Sequence, residues 1–371
     1  MAAFSEDVLK NGEKALMRLR ALYRAYGYTR YEMSKFEEYE LYARNKSFLV
    51  SDDIITFTGS GGKLMALRPD VTLSIVKNSK DGDSLRKLYY NENVYRPSGE
   101  HEFKERMQVG LECIGALGAY ETGEAIYLAC RSLSEISPNY CLDISHMGFL
   151  SGLLESAATT PETQAEILRR VSEKNVPELT RLCAERGLPQ EFRARIAAVA
   201  ALYGSFEEKL AELETISVSE KTDGAIRELR QVVETVRGFG DKTDVRLDFS
   251  IVNDMRYYSG VIFQGYVDGI PTALLSGGRY DSLMRKFGKR AGAVGFAVYI
   301  DLLERLETAR RREDADVLLL YGERDDPVAV AAAVRAIADA GNSVRAQRGG
   351  AEGVKYKRRA RLTDGGVEYD D

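Results

Sequence analysis

Among the residues able to do chemistry, Glu112 stands out, because it lies between apolar neighbours in Met107-Gln-Val-Gly-Leu-Glu-Cys-Ile114. A carboxylate in such a run, once buried, requires hydrogen-bonding partners. A second informative stretch runs from Asp248 to Gly260 and contains the pair Tyr257-Tyr258. Taken singly, the other polar motifs have plain structural readings. A tyrosine pair in a strand is packing, Gly277-Gly278 a turn, Leu67-Arg68-Pro69-Asp70 a helix cap, and Arg96 a surface ion pair. The only histidines, His101 and His146, leave histidine-based catalysis few candidates and are read as structural. Cys113, Cys130, Cys141 and Cys183 lack CxxC or Cys/His spacing, so neither a metal site nor a cofactor is expected, and the thiols are read as reduced.

The elements that must position these residues follow from periodicity. Val8, Leu9, Ala15, Leu16, Leu19 and Leu22 form an apolar stripe that predicts a helix from Glu6 to Tyr26, stopped by Gly27. Strands are predicted at Ile54–Thr58 and Lys63–Arg68, joined through Gly61-Gly62 as a hairpin. Further strands are predicted at Arg86–Tyr95, Met107–Ile114, Asp244–Phe249, Val261–Gly265 and Thr272–Ser276. Hairpin-linked strands with few helices between them imply an antiparallel sheet in an α+β fold. Between about 148 and 241 the texture becomes helical, over Glu162–Lys174, Pro177–Arg186, Glu191–Tyr203 and Asp223–Phe239. The domain reading is a core split between 1–147 and 242–308, a helical insertion at 148–241 and a small α/β tail at 312–371. The tail shows a buried strand at Asp316–Tyr321, a Pro-opened helix at Pro327–Ala340, a strand at Ser343–Gln347 and a basic cluster at Lys355, Lys357, Arg358, Arg359 and Arg361.

With 371 residues, 44% hydrophobic and 29% charged, the chain has the composition of a globular protein of two or three domains. No 18-residue uncharged apolar run suggests a membrane span and no apolar leader follows Met1, so the expected location is the cytoplasm.

Four segments, in order, resemble the class II core of histidyl-tRNA synthetases over most of residues 1–308. Tyr31–Tyr42 resembles the first motif, with Ser34 near the place of its usual proline. Leu67-Arg-Pro-Asp-Val-Thr72 resembles an LRPEGT turn, with Asp70 for Glu and Val71 for Gly. Tyr95-Arg96 with Gln108-Val-Gly-Leu-Glu112 resembles the second motif, and Ser276-Gly-Gly-Arg-Tyr-Asp281 with Gly292–Ala297 resembles GGRYD and the third. The resemblance implies a histidine pocket. Asp70, Thr72 and Gln108 would meet the ammonium group, and Glu112 with Tyr258 and Tyr280 would meet the imidazole. Tyr257 pairs with Tyr258, Gly277-Gly278 would admit close approach of a ligand, and Arg96 would clamp carboxylate or phosphate. It also implies losses. Asn253 stands where the synthetases place an arginine in LVRGLDYYTG, and Leu302 where the third motif has one, while Arg305 lies nearly a turn further on and faces elsewhere.

A binding pocket kept without its reactive charges is similar to a paralogous family, the regulatory subunits of ATP phosphoribosyltransferase. That resemblance implies no catalytic activity of its own and a short-form catalytic subunit as partner. It also implies L-histidine as feedback effector and a homodimer within a hetero-octamer. The net charge of -5 argues against a large tRNA-binding surface. The rival readings are a working synthetase with an atypical site and a synthetase-like amino-acid sensor serving another partner.

Overall fold

The computed structural model describes residues 9–45, 54–82, 84–97, 102–252, 257–306, 313–363 and 366–370. They fall into two compact units, 11–306 and 313–370, the latter with residues 9 and 10.

The larger unit is organised on a nine-stranded sheet. In spatial order its strands are β1 (Thr29–Arg30), β5 (Arg86–Pro97), β6 (Phe103–Gly115), β12 (Gly292–Tyr299), β11 (Leu275–Arg279), β10 (Val261–Val267), β7 (Tyr140–His146), β9 (Val245–Asp248) and β8 (Tyr203–Ser205). The pairs from β5 across to β7 are antiparallel, as the hairpin pattern predicts, whereas β1–β5 and β7–β9 are parallel. Strand β6 shows why the sheet has two different faces. Successive side chains alternate sides, so Val109, Leu111 and Cys113 enter the main core while Gln108, Gly110 and Glu112 face the other way.

The apolar face is covered by α1 (Asn11–Ala25), α4 (Ala119–Ser134) and a run of helices: α5 (Met147–Glu155), α6 (Pro161–Ser172), α7 (Val176–Glu185), α8 (Gln190–Ala201), α9 (Phe206–Ile216) and α10 (Glu220–Gly238). Helix α1 closes at Gly27, whose φ of 80° lies in the left-handed region. Caps mark several of the other starts: Thr160 accepts from the Thr163 amide at 3.3 Å, and Ser219 from the Thr222 amide at 3.3 Å. Ile167, Leu179, Ile196 and Leu229 of these helices belong to the same buried cluster as Leu142, Ile144 and Phe296 of the sheet. The helix predicted to reach Tyr203 ends at Ala201, because Tyr203 opens the short edge strand β8.

The opposite face is roofed by α3 (Thr72–Asn78) and α11 (Asp281–Lys286). Beside them lie α2 (Tyr39–Ala43) and a three-stranded sheet ordered β2 (Phe36–Glu38), β4 (Leu64–Leu67), β3 (Thr56–Thr58). The β3–β4 hairpin turns through Gly61 and Gly62 at φ 91° and 77°, values that suit glycine. The strand predicted at Thr272–Ser276 lies later, at Leu275–Arg279, so Gly277-Gly278 is mid-strand and not a turn.

In the smaller unit β13 (Ala315–Tyr321) pairs in parallel with β14 (Val344–Arg348) and β15 (Tyr356–Thr363), and β16 (Gly366–Asp370) adds antiparallel to β15. Helix α12 (Pro327–Asp339) packs Ala333 and Ile337 on Val317, Leu319 and Ala360. The basic cluster is largely strand β15, and it is balanced within its own sheet. Lys357 pairs with Asp316 at 2.7 Å, while Arg359 and Arg361 pair with Asp370.

Helix α3 has only seven residues and is held at both ends. Asp70 accepts from the Leu73 amide at 2.8 Å, and Lys289 donates its Nζ to the carbonyls of Val76 and Ser79. Removing that ammonium takes the donor from the Ser79 carbonyl, while the Val76 carbonyl keeps the Ser79 hydroxyl at 2.9 Å. Lys289→Met therefore lowers the unfolding free energy by about 1–3 kcal/mol, read from the midpoint of urea unfolding at unchanged slope.

Candidate functional site

On the polar face of the sheet, register lines up Leu88, Glu112, Gly295 and Gly278 across β5, β6, β12 and β11. One pair along, Tyr90, Gly110 and Ala297 make a parallel row. The glycines leave space that other side chains use. A Cβ on Gly295 would overlap the Glu112 Oε2, a Cβ on Gly110 would overlap Phe296 O and crowd the Tyr90 hydroxyl, and a Cβ on Gly278 would sit 2.7 Å from the Tyr258 ring. Tyr90, Glu112 and Tyr258 therefore rest on a floor of bare backbone. What approaches Gly277 and Gly278 closely is the protein itself: Phe263, Gly295 and Phe296 crowd the former, and Tyr258 the latter.

The Glu112 carboxyl is 1% exposed. Its Oε2 accepts from the Tyr280 hydroxyl, and its Oε1 accepts from Thr72 Oγ1 at 2.9 Å. Burial pushes Glu112 up to about 8; the Tyr280 and Thr72 hydrogen bonds oppose the rise, and the Asp70 carboxyl adds to it. At neutral pH the acid is thus largely uncharged, able to donate as well as accept. Asp70 is also raised by burial, against the Leu73 amide and the Arg96 charge.

Three tyrosines close the site. The Tyr257 and Tyr258 rings lie 4.4 Å apart, and Tyr257 and Tyr280 lie 5.9 Å apart. Burial raises all three phenols. Gln108, buried on the same face, lies opposite Glu92 and Tyr299. Arg96 donates Nε to the Pro69 carbonyl at 3.0 Å, holding the turn before α3, and among the described residues it forms no ion pair. The structure thus brings Asp70, Thr72, Glu112, Tyr257, Tyr258 and Tyr280 together, with Gln108 and Arg96 on the flank.

Three residues at the site's border were not singled out from the sequence. Arg68 is fully buried, paired with Glu92 at 2.8 Å and donating to the carbonyls of Ser34 at 2.8 Å and Asn93 at 2.9 Å. Tyr299 is influenced by Arg96 and bonded to Ser276, and Tyr90 lies over Gly110. The period-two alternation of 88, 90, 92 against 108, 110, 112 is the signal that would have found Tyr90. Leu302, on a 3-10 helix at Ile300–Leu306, is partly buried against the main apolar core. Asn253, His101 and the Arg305 side chain lie outside the described residues. His146 is buried and bonded to Glu228 at 3.1 Å.

Because the folded Glu112 holds its proton more tightly than the unfolded chain does, its contribution favours folding at acidic pH and is lost as pH rises through about 8. Asp70 shifts in the same direction. Unfolding free energies measured at pH 6 and pH 9 should fall more for the wild type than for Glu112→Gln, which stays neutral at both.

The model of the histidyl-tRNA synthetase family matches residues 4–303. The ATP phosphoribosyltransferase regulatory subunit of Oceanobacillus iheyensis is 29% identical over 327 residues, covering 86% of this chain and 80% of the relative. That of Desulfitobacterium hafniense is 30% identical over 266 residues, covering 70% and 69%. A crystal structure described as an ATP phosphoribosyltransferase regulatory subunit/histidyl-tRNA synthetase from Bacillus halodurans C superposes with a TM-score of 0.75 at 25% identity, covering 95% of this chain and 93% of that one. The chain belongs to the histidyl-tRNA synthetase family, and within it to the regulatory subunits of ATP phosphoribosyltransferase.

Proposed function

We propose that this chain is the non-catalytic regulatory subunit of ATP phosphoribosyltransferase. It binds L-histidine between Glu112 and the three tyrosines and transmits feedback inhibition to a short-form catalytic subunit. The observation that carries this reading is the Glu112 carboxyl, buried on the sheet and held by the hydroxyls of Tyr280 and Thr72. Such an acid meets a ring nitrogen as donor or acceptor and rejects an apolar isostere, since each unpaired buried group costs about 1–3 kcal/mol. Asp70, Thr72 and Gln108 take the ammonium group, which needs acceptors once desolvated, and Arg96 the carboxylate.

The same pocket is poorly equipped to activate an amino acid. Adenylate formation brings a carboxylate against a phosphate, and fixed cations must offset their repulsion. Asn253 and Leu302, both uncharged, occupy positions where synthetases of this family use arginine. Each missing donor typically removes about 2.7–4 kcal/mol of transition-state stabilisation. In this reading residues 1–147 and 242–308 form the split synthetase-like core, 148–241 an insertion and 312–371 a shortened α/β appendage. The working assembly is a cytoplasmic hetero-octamer containing homodimers of this chain. Histidine lowers activity by binding one state of that assembly better than the other, and the shift is limited by that difference in affinity.

The test is reconstitution with the short-form catalytic subunit and assay of phosphoribosyl transfer to ATP. Glu112→Ala or Tyr258→Ala should leave assembly intact and raise the histidine concentration for half inhibition by about five- to 150-fold. A double variant with undiminished inhibition at low histidine would remove the pocket from the mechanism. Histidine-dependent pyrophosphate exchange by the chain alone would make it a synthetase instead.

A further inference from the structure

The pocket does not end at the polar face of the sheet. Strand β11 presents Gly278 beneath Tyr258 on that face and sends the Arg279 side chain to Glu228 of α10, while the next residue, Tyr280, reaches back to Glu112. Arg279 Nε donates to Asp281 Oδ2 at 2.9 Å, and its Nη1 lies 3.6 Å from Glu228 Oε1. Glu228 Oε2 meets His146 Nε2 at 3.1 Å, at the end of β7. A chain of charged and polar groups, Asp281–Arg279–Glu228–His146, thus runs from the start of α11 through α10 to the end of β7. The backbone joins it to the pocket: the Arg279 carbonyl accepts from the Ser259 amide at 3.0 Å, and the Gly260 carbonyl from the Met147 amide at 2.9 Å. The segment carrying Tyr257 and Tyr258 is therefore pinned between β11 and the start of α5. Gly260 seals the junction, since a Cβ there would lie 3.3 Å from Arg279 Cδ and 3.4 Å from Glu228 Oε1.

We infer that Glu228 couples occupancy of the pocket to helix α10, so that a ligand held against the Tyr257–Gly260 segment also stabilises the helix beyond the sheet. The inference rests on the reading of this pocket as an L-histidine site. Among the described residues, Glu228 makes the charged side-chain contacts of α10 to strands, with Arg279 and His146; Lys221–Glu155, Arg230–Glu214 and Arg237–Glu207 join α10 to α5 and α9, and Arg227–Glu220 lies within α10 itself. Among the described residues, Glu228 Oε1 and His146 Nδ1 have no hydrogen-bond partner, so the junction is incompletely satisfied there. Burial alone would raise the Glu228 carboxyl, but the hydrogen bond to His146 and the neighbouring Arg279 guanidinium outweigh it and hold the group below its ordinary value.

Spatial continuity alone does not establish coupling, so the test measures it. Hydrogen exchange of the α10 amides is followed in the full chain with and without saturating L-histidine, alongside calorimetric titration of the same samples. L-histidine should slow exchange in α10 of the wild type by about fivefold or more, the lower end of ordinary allosteric coupling. Glu228→Gln should abolish the slowing while affinity for L-histidine stays within about one order of magnitude. Arg279→Lys, which keeps the charge but not the fork of donors, should act alike. Binding without slowing in the wild type, or slowing that survives in both variants, overturns the coupling and spares the pocket. No heat of binding in the wild type overturns both.

Discussion

The constraint on which the rest of the site depends is the burial of one carboxyl group, Glu112, on a β-sheet. A carboxyl group removed from water requires partners, and here two hydroxyls provide them, from Thr72 and Tyr280. Each partner imposes its own requirement. Thr72 stands in the first turn of a helix too short to persist unaided, which explains why Asp70 caps one end and Lys289 clamps the other. Tyr280 precedes α11 and is fixed by its amide, which donates to the Ala293 carbonyl at 2.8 Å. The space for the carboxyl exists because residue 295, directly across the strand pair, has no side chain.

The two faces of the sheet divide the work. One buries Leu111, Ile144 and Phe296 beneath the helices and supplies the apolar stabilisation. The other is free to hold polar groups in fixed geometry, because the first has already secured the strands. Strand β11 belongs to both, with glycines at 277 and 278 so tightly approached from either side that its position is closely defined. A rigid platform of this kind suits selective binding, where geometry must be set before the ligand arrives.

Much of this was legible in the sequence, and what was not has physical reasons. The β3–β4 hairpin, β6 and α12 declared themselves through glycine turns, alternation and an N-terminal proline. Helix α4 did not, because it is buried without a break from Thr122 to Cys130. Strands β1, β2 and β8, at two or three residues, are too short to carry a pattern. In the site, the order of motifs pointed to Asp70, Thr72, Glu112, Tyr258 and Tyr280. The roles of Gly110, Gly295 and Tyr299 depend on cross-strand register between residues nearly two hundred positions apart, and nothing local announces such pairings. The plain reading of Gly277-Gly278 as a turn fails for the same reason: the pair is mid-strand, and its neighbours come from β10, β12 and the Tyr258 segment.

Under the proposed function, a synthetase-type fold senses histidine without the charges that would activate it. The central claim is that the Glu112 site recognises an imidazole. The most direct measurement is calorimetric titration of the purified chain with L-histidine and with an analogue whose ring lacks nitrogen. Saturable binding of L-histidine, with the analogue weaker by about tenfold or more, is the predicted result. Equal binding of both, or binding of neither, would contradict it.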